Sequence, residues 1–253
     1  GSNGGFGAGC NAGFAVALAN AGAVRHVLLI NPDARATAGM VDRLCAAAAA
    51  HPDAGIVGGT ILAADGRTVQ FANGRHRPWT LSRLHCAAPS REAAFATTFV
   101  TGALMLVDAG MLRAGLRFDE RFFLYVEDLD LCCEVRDRGR TLWIEPRAIA
   151  LHRGGACAAT APAVLGTATA DQVYWLARSK VLFAGKRANA WQRRWLLLLA
   201  AVVKPIAGLL IAPNGRFLTA HWRGLRDGLR TLRAERRGAT PPSAATPPAP
   251  SRA

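Results

Sequence analysis

The chain has 253 residues, 51% of them hydrophobic and 19% charged, with a formal net charge of +14. That balance excludes a chain disordered from end to end and leaves room for one sizeable domain with additions. The charge calls for a polyanionic neighbour: nucleic acid, an anionic membrane or a phosphorylated substrate. Gly1 to Pro162 is of mixed charge, whereas Arg178 to Arg237 is strongly basic. The six cysteines (Cys10, Cys45, Cys86, Cys132, Cys133 and Cys157) form no C-x-x-C pair. That argues against a zinc site or a disulfide framework and fits a reducing cytoplasm. The Gly-rich, polar start lacks the charged-then-apolar pattern of a secretory signal.

Asn3 to Gly13 is Gly-rich, and Asn11 to Ala23 reads as a helix of small apolar residues. Val24 to Ile30 is a buried strand of a mostly parallel sheet, closed by the turn formers Asn31-Pro32-Asp33. Thr37 to Ala50 predicts a helix with Thr37 as N-cap, ended by His51-Pro52. Ile56 to Ala63 is a further strand. Arg67 to Ala96 mixes Arg, His, Pro and Trp and reads as loops and short strands over a site. Phe99 to Val107 is a strand, Asp108 to Ala114 a short helix, and Asp128 to Arg138 a helix capped by Gly139. Thr141 to Ile144 is again a strand. Alternating strands and helices imply an α/β sheet. Asp171 to Gly185 predicts a helix, Trp195 to Ala212 is apolar apart from Lys204-Pro205, and Arg216 to Arg237 is a basic amphipathic helix. The Pro/Ala-rich stretch from Gly238 to Ala253 is expected to be disordered.

Three places carry chemistry. Asn31-Pro32-Asp33 follows a buried strand, and ligands of open α/β sheets bind beyond strand carboxyl ends. A carboxylate there suits a divalent cation on a diphosphate, although the same tripeptide is also an ordinary turn. From Phe118 to Leu131, four carboxylates besides Asp119 stand among bulky aromatics. Such surroundings raise a carboxylate's pKa, as a general base needs. Glu127-Asp128 opens a helix, where the dipole favours anions, and the bland alternative is capping. His152 follows an apolar segment and is either a metal ligand or an isolated core histidine.

These elements, in order, resemble the inverting bacterial glycosyltransferases with the GT-A fold, including rhamnosyltransferases of cell-envelope polysaccharide assembly. The resemblance runs through Asn3-Gly4-Gly5-Phe6-Gly7-Ala8-Gly9-Cys10-Asn11-Ala12-Gly13, Leu28 to Asp33, Val100 to Ala103, Phe118-Asp119-Glu120 to Phe123, Glu127 to Leu131, and His152. It implies a GT-A-type, Rossmann-like α/β fold with a mostly parallel sheet and flanking helices. It further implies Mg²⁺ or Mn²⁺ on Asp33 and His152, with Asn31 where many members carry a first Asp. Asp128 would be the catalytic base, Gly9 and Asn11 would lie near the nucleotide, and Gly102 would line the cleft. The implied partners are a dTDP- or UDP-sugar donor and a saccharide or lipid-linked acceptor. Members usually begin with a strand ending in V-x-Y-N, then a helix and a strand gripping the base. Nothing like that precedes Asn3, so the expected catalytic stretch, 1–165, lacks its first strands. Glu134 stands where many members have Arg.

The region 166–237 is expected to be helical and to associate with a membrane. Leu218, Trp222, Leu225, Leu229 and Leu232 form one helix face flanked by arginines, which suits an anionic surface on the cytoplasmic side. Lys204-Pro205 disfavours a span through 195–212 and favours an interfacial helical pair. The competing readings are an inactive glycosyltransferase remnant held at a membrane and a basic nucleic-acid-binding protein. The second is disfavoured because the arginines lie beside Leu/Trp stripes and no aromatic-rich binding module is present.

Overall fold

Apolar runs become strands wherever turn formers bound them. The computed structural model describes residues 3–19, 24–77, 79–80, 82–153, 169–206 and 215–238. They divide between two compact units. One comprises Phe6–Asp119 and Glu127–Ala158; the other comprises Gly1–Gly5, Glu120–Val126 and Ala159–Ala253, each in its described residues. The boundary expected at 165/166, Cys157 and the tail 239–253 lie outside the described residues.

The first unit contains, in chain order, α1 (Phe6–Ala19), β1 (His26–Ile30), β2 (Ala34–Ala36), α2 (Met40–Ala50), β3 (Ala54–Ala63), β4 (Val69–Phe71), β5 (Asn73–Arg77), β6 (Ser82–Cys86), β7 (Phe95–Thr97), β8 (Leu104–Asp108), α3 (Ala109–Arg113), α4 (Glu127–Asp137) and β9 (Thr141–His152). The α/β class is as expected: a mixed central sheet in the order β1-β8-β3-β9-β2 with flanking helices, while β4 adds to β3 and β7 to β9. The expectation of a mostly parallel sheet needs correction. β1, β3 and β9 run the same way, but β8 lies antiparallel between β1 and β3, and β3–β9 is the parallel pairing among the described strands. Apolar periodicity reports burial and is blind to direction. Between β3 and β8 the chain makes the excursion β4 to β7, not the helical crossover a parallel neighbour requires.

Ile56, Leu104, Met105, Leu142 and Ile144 form the sheet's core, with Leu44 of α2, Leu129 of α4 and Leu112 of α3 also buried. Two helix starts differ from expectation. Helix α1 begins at Phe6, inside the Gly-rich stretch, where Gly7 lets Phe118 pack close: a Cβ there would sit 3.0 Å from that side chain. Helix α2 begins at Met40 after Gly39, because the Thr37 hydroxyl donates to Ile149 O (2.7 Å) and does not cap.

The second unit contains α5 (Ala170–Arg187), α6 (Ala190–Leu198), a π-helical turn (Leu199–Val203) and α7 (Gly215–Arg236). Capping boxes start α5 (Thr169 with Gln172) and α6 (Asn189 with Gln192). The Lys204 N–H bonds to Leu199 O, five residues back, and this wider turn relieves the crowding that Pro205 imposes on the preceding turn. Residues 207–212 of the apolar run lie outside the described residues, and no described helix is long and apolar enough to cross a membrane.

Helix α7 approaches α5 through Gly224 and Gly228. A Cβ on Gly224 would lie 2.3 Å from Tyr174 O, and one on Gly228 2.9 Å from Arg178 O. This contact corrects the expected role of the leucine face. Leu225 is buried with Ala177 and Val181, and Leu229 and Leu232 pack against them. The leucines therefore cover α5, while Trp222 remains 46% exposed. The stretch Glu120–Val126 is fastened to the same helices: Arg178 donates to Arg121 O (2.7 Å), Ser179 to Leu124 O (2.9 Å), and Arg121 pairs with Glu235 (2.8 Å).

Candidate functional site

Strand β1 ends at Ile30 and delivers Asn31 and Asp33; β9 ends at His152. Because β2 and β9 pair, with Ala34 opposite His152, the two ends meet. His152 Nε2 lies 3.0 Å from Asp33 Oδ1 and 3.3 Å from Asn31 Nδ2, and the Arg153 N–H donates to Asp33 O (3.2 Å). Gln70 fixes the imidazole from behind. Its amide nitrogen faces His152 O (3.4 Å), which turns its oxygen toward Nδ1 at 2.8 Å.

That arrangement sets the tautomer. Nδ1 donates to Gln70, so in a neutral ring the Nε2 lone pair points at the Asp33 carboxylate. The Asn31 amide N–H, 3.3 Å away, is the donor that faces this lone pair, and a cation bridging Asp33 and His152 would take its place. A carboxylate beside an imidazole nitrogen can hold a divalent ion that takes its remaining ligands from water and phosphate, whereas Asn31 presents its amide nitrogen there, a donor and not a ligand. Among the described residues no group of three or more His, Cys, Asp or Glu gathers as a self-sufficient metal cage. A cation on Asp33 and His152 would therefore depend on a substrate's oxygens.

The second cluster sits at the start of α4. Asp128 Oδ1 accepts from the Leu129 N–H (2.8 Å) and from Arg83 (3.3 Å), and Oδ2 accepts from the Gly102 N–H (3.3 Å). Gly102 is tight: an added Cβ would lie 3.1 Å from the Phe6 ring and 3.4 Å from Asp128 Cβ. Glu127 is the carboxyl that its burial perturbs. Burial, then the neighbouring Asp128 charge, pushes it up to about 8. Its Oε2 is buried without a hydrogen-bond partner. Burial thus disfavours the charged form of Glu127, beside an aspartate held by three donors. Tyr125 and Val126, which precede α4, have φ of 66° and 72°. Left-handed backbone at non-glycine residues costs about 1–3 kcal/mol each and collects beside functional groups.

One turn ties the clusters together. Gly102 N–H reaches Asp128, and the next residue's carbonyl, Ala103 O, accepts from Asn31 N–H (3.1 Å). Asn31, Asp33, Gly102, Asp128 and His152 are so brought to one region. Asn11 is differently employed: its amide donates to Phe118 O and accepts from Phe118 N–H, both at 2.9 Å, clamping α1. Gly9 is exposed on α1 with open space at its Cβ position. Glu134 pairs with Arg138 (3.2 Å) on the surface. Sequence reasoning missed Gln70 and Arg83, which lie in the irregular stretch where no periodicity places a residue, and it left Glu127 without a role. The aromatic density around Glu127 was the available signal.

No family model matches the chain. It is 28% identical over 192 residues to an N-acetylglucosaminyl-diphospho-decaprenol L-rhamnosyltransferase of Mycobacterium tuberculosis, in strains CDC 1551 / Oshkosh and ATCC 25618 / H37Rv. The match covers 68% of this chain and 59% of the relative, so the chain spans about three fifths of the length of the relatives it matches. The chain is a distant homologue of that glycosyltransferase. Among solved structures, it resembles GalNAc-T7 with UDP, GalNAc and Mn²⁺, at a TM-score of 0.49 and 11% identity over 87% of this chain and 45% of that one.

Proposed function

We propose that this chain is, or is the main part of, a metal-dependent inverting glycosyltransferase that moves a sugar from a nucleotide donor to an acceptor hydroxyl. The observation that carries the reading is the Thr101–Ala103 turn, which joins Asp128 to the Asn31/Asp33/His152 cluster. Asp128 accepts the proton of an acceptor hydroxyl while that oxygen attacks the anomeric carbon. The nucleoside diphosphate leaves from the opposite face, so one displacement inverts the centre. Arg83, Leu129 N–H and Gly102 N–H orient the carboxylate. Burial and the adjacent Asp128 charge disfavour ionisation of Glu127 beside it. Asp33 and His152, with Asn31 beside them, would hold Mg²⁺ or Mn²⁺, which when bound offsets the charge developing on the diphosphate. Gly9, open on α1, and Gly102 would border the donor.

The donor is proposed to be a dTDP- or UDP-sugar and the acceptor a saccharide or a lipid-linked sugar of the cell envelope, handled at the cytoplasmic face. The relatives' rhamnosyl transfer to a diphospho-decaprenol-linked sugar supports that choice. The test is to incubate the protein with Mn²⁺, dTDP-rhamnose or UDP-sugars and a polyprenyl-diphosphate-linked N-acetylglucosamine. The reading requires a glycosylated product of inverted anomeric configuration that the Asp128→Asn variant does not make. A retained configuration would reject it, and equal turnover by Asp128→Asn would reject the role of Asp128.

A further inference from the structure

Helix α6, together with the helical turns that continue it through Ile206, is apolar on two opposite sides. One side is used: Leu197 and Ala200 pack against the Ala177, Val181 and Leu225 cluster. The other is open. Trp191, Trp195, Leu198, Val202 and Ile206, spaced by four, three, four and four, are 45–66% exposed. The Trp191 and Trp195 rings stack at 6.4 Å. A helix normally spends its apolar residues on one face, and a contiguous exposed stripe of this size marks an interaction surface. Trp222 is likewise exposed, on α7, whose His221 donates from Nε2 to Ala200 O (2.8 Å) in the turn that follows α6.

The charge selects the occupant. Between Thr169 and Gly238 there are fourteen Lys and Arg against three Asp and Glu. A second copy would set one strongly cationic surface against another, and a nucleic acid would leave the aliphatic part of the stripe unused. Arg194 beside Trp195 and Arg223 beside Trp222 are both exposed, which pairs an aromatic with a cation twice. Tryptophan and arginine at the edge of an apolar stripe fit the headgroup boundary of a bilayer.

We infer that the exposed α6 stripe, with Trp222, seats the protein on an anionic lipid surface. The leucines of α7 face inward, and α6 makes the contact. Apolar burial and electrostatic attraction add, each basic residue near the headgroups contributing a comparable increment.

The experiment is co-sedimentation of the full chain with phosphatidylglycerol-containing vesicles and with pure phosphatidylcholine vesicles, alongside quenching of tryptophan emission by brominated acyl chains. The wild type should bind the anionic vesicles, be quenched, and be released only partly by salt, since screening leaves apolar burial in place. The double variant Trp191→Ser/Trp195→Ser removes side chains with no core role, so its melting curve should match wild type. Its partitioning should fall about a hundredfold, roughly tenfold per indole. Undiminished partitioning of that folded variant would overturn the inference. So would sedimentation showing a wild-type dimer that the double variant dissolves, with no vesicle binding by either. Neither readout involves sugar transfer, so an absence of transfer leaves this result standing and bears only on the proposed function.

Discussion

Replacing Asp128 by Asn separates the chemistry of the α4 carboxylate from its architecture. Oδ1 serves Leu129 N–H at 2.8 Å and Arg83 at 3.3 Å, and an amide oxygen in that place keeps both bonds. Oδ2 accepts from Gly102 N–H at 3.3 Å, and an amide nitrogen there opposes a donor with a donor. The structural loss is one long hydrogen bond and one unsatisfied buried N–H, about 1–3 kcal/mol. In a domain of this size that lowers the melting midpoint by several degrees without unfolding the protein at assay temperature. The catalytic loss is the proton acceptor itself, about 10²–10⁴-fold in turnover. The assay is release of nucleoside diphosphate in the presence of acceptor, measured beside donor affinity and a thermal melt. A variant that binds donor normally, melts a few degrees lower and turns over at least about a hundredfold more slowly fits the account. A folded Asp128→Asn variant with wild-type turnover refutes the assignment of the base.

Further perturbations test the neighbouring parts. Glu127 has its carboxyl raised from 4.5 to about 8, so across that window the folded state holds a proton that the unfolded state has released. Stability should therefore fall as pH rises from about 4.5 to about 8, and Glu127→Gln should flatten that slope in melts taken across the window. Gln70→Leu leaves His152 Nδ1 without its acceptor and should weaken metal-dependent nucleotide binding about 10–100-fold, read by calorimetry, with little change in the melt. Gly224→Val would drive a side chain into Tyr174 O, where even a Cβ lies 2.3 Å away, and should destabilise the α5–α7 pair by about 1–3 kcal/mol or more in denaturant unfolding.

Much of the sheet was legible because β1 and β3 are apolar runs bounded by turn residues; β3 is buried as such a run predicts, whereas β1, expected to be buried, lies at the sheet's edge and is only half-buried. Their directions were not legible, since a buried strand has the same pattern beside a parallel or an antiparallel neighbour. The pairing of Asp33 with His152 could be named only through the order of family-like motifs. The contact itself depends on β2 pairing with β9 across more than a hundred residues of chain. Thr37 misled because a helix-capping residue type can equally donate to a distant carbonyl, here Ile149 O. The face of α7 was correctly read as amphipathic, but periodicity does not say what covers it. The covering element is α5, admitted by Gly224 and Gly228. The second apolar face of α6 escaped notice because a run apolar almost throughout shows no stripe until one side is seen to be packed. Gln70 and Arg83 carry no sequence signal, because an irregular segment is placed by its long-range partners alone.

The proposed cation–diphosphate site at the ends of β1 and β9 admits the most direct test. Calorimetric titration of dTDP and UDP into the protein, with Mn²⁺ and then with EDTA, addresses it without any acceptor. Binding should require Mn²⁺, and both Asp33→Ala and His152→Ala should weaken it at least about tenfold, the loss of a single charge-assisted contact. Nucleotide binding of equal strength in EDTA, or unchanged in both variants, would contradict the assignment of this site and the metal-dependent transfer built on it.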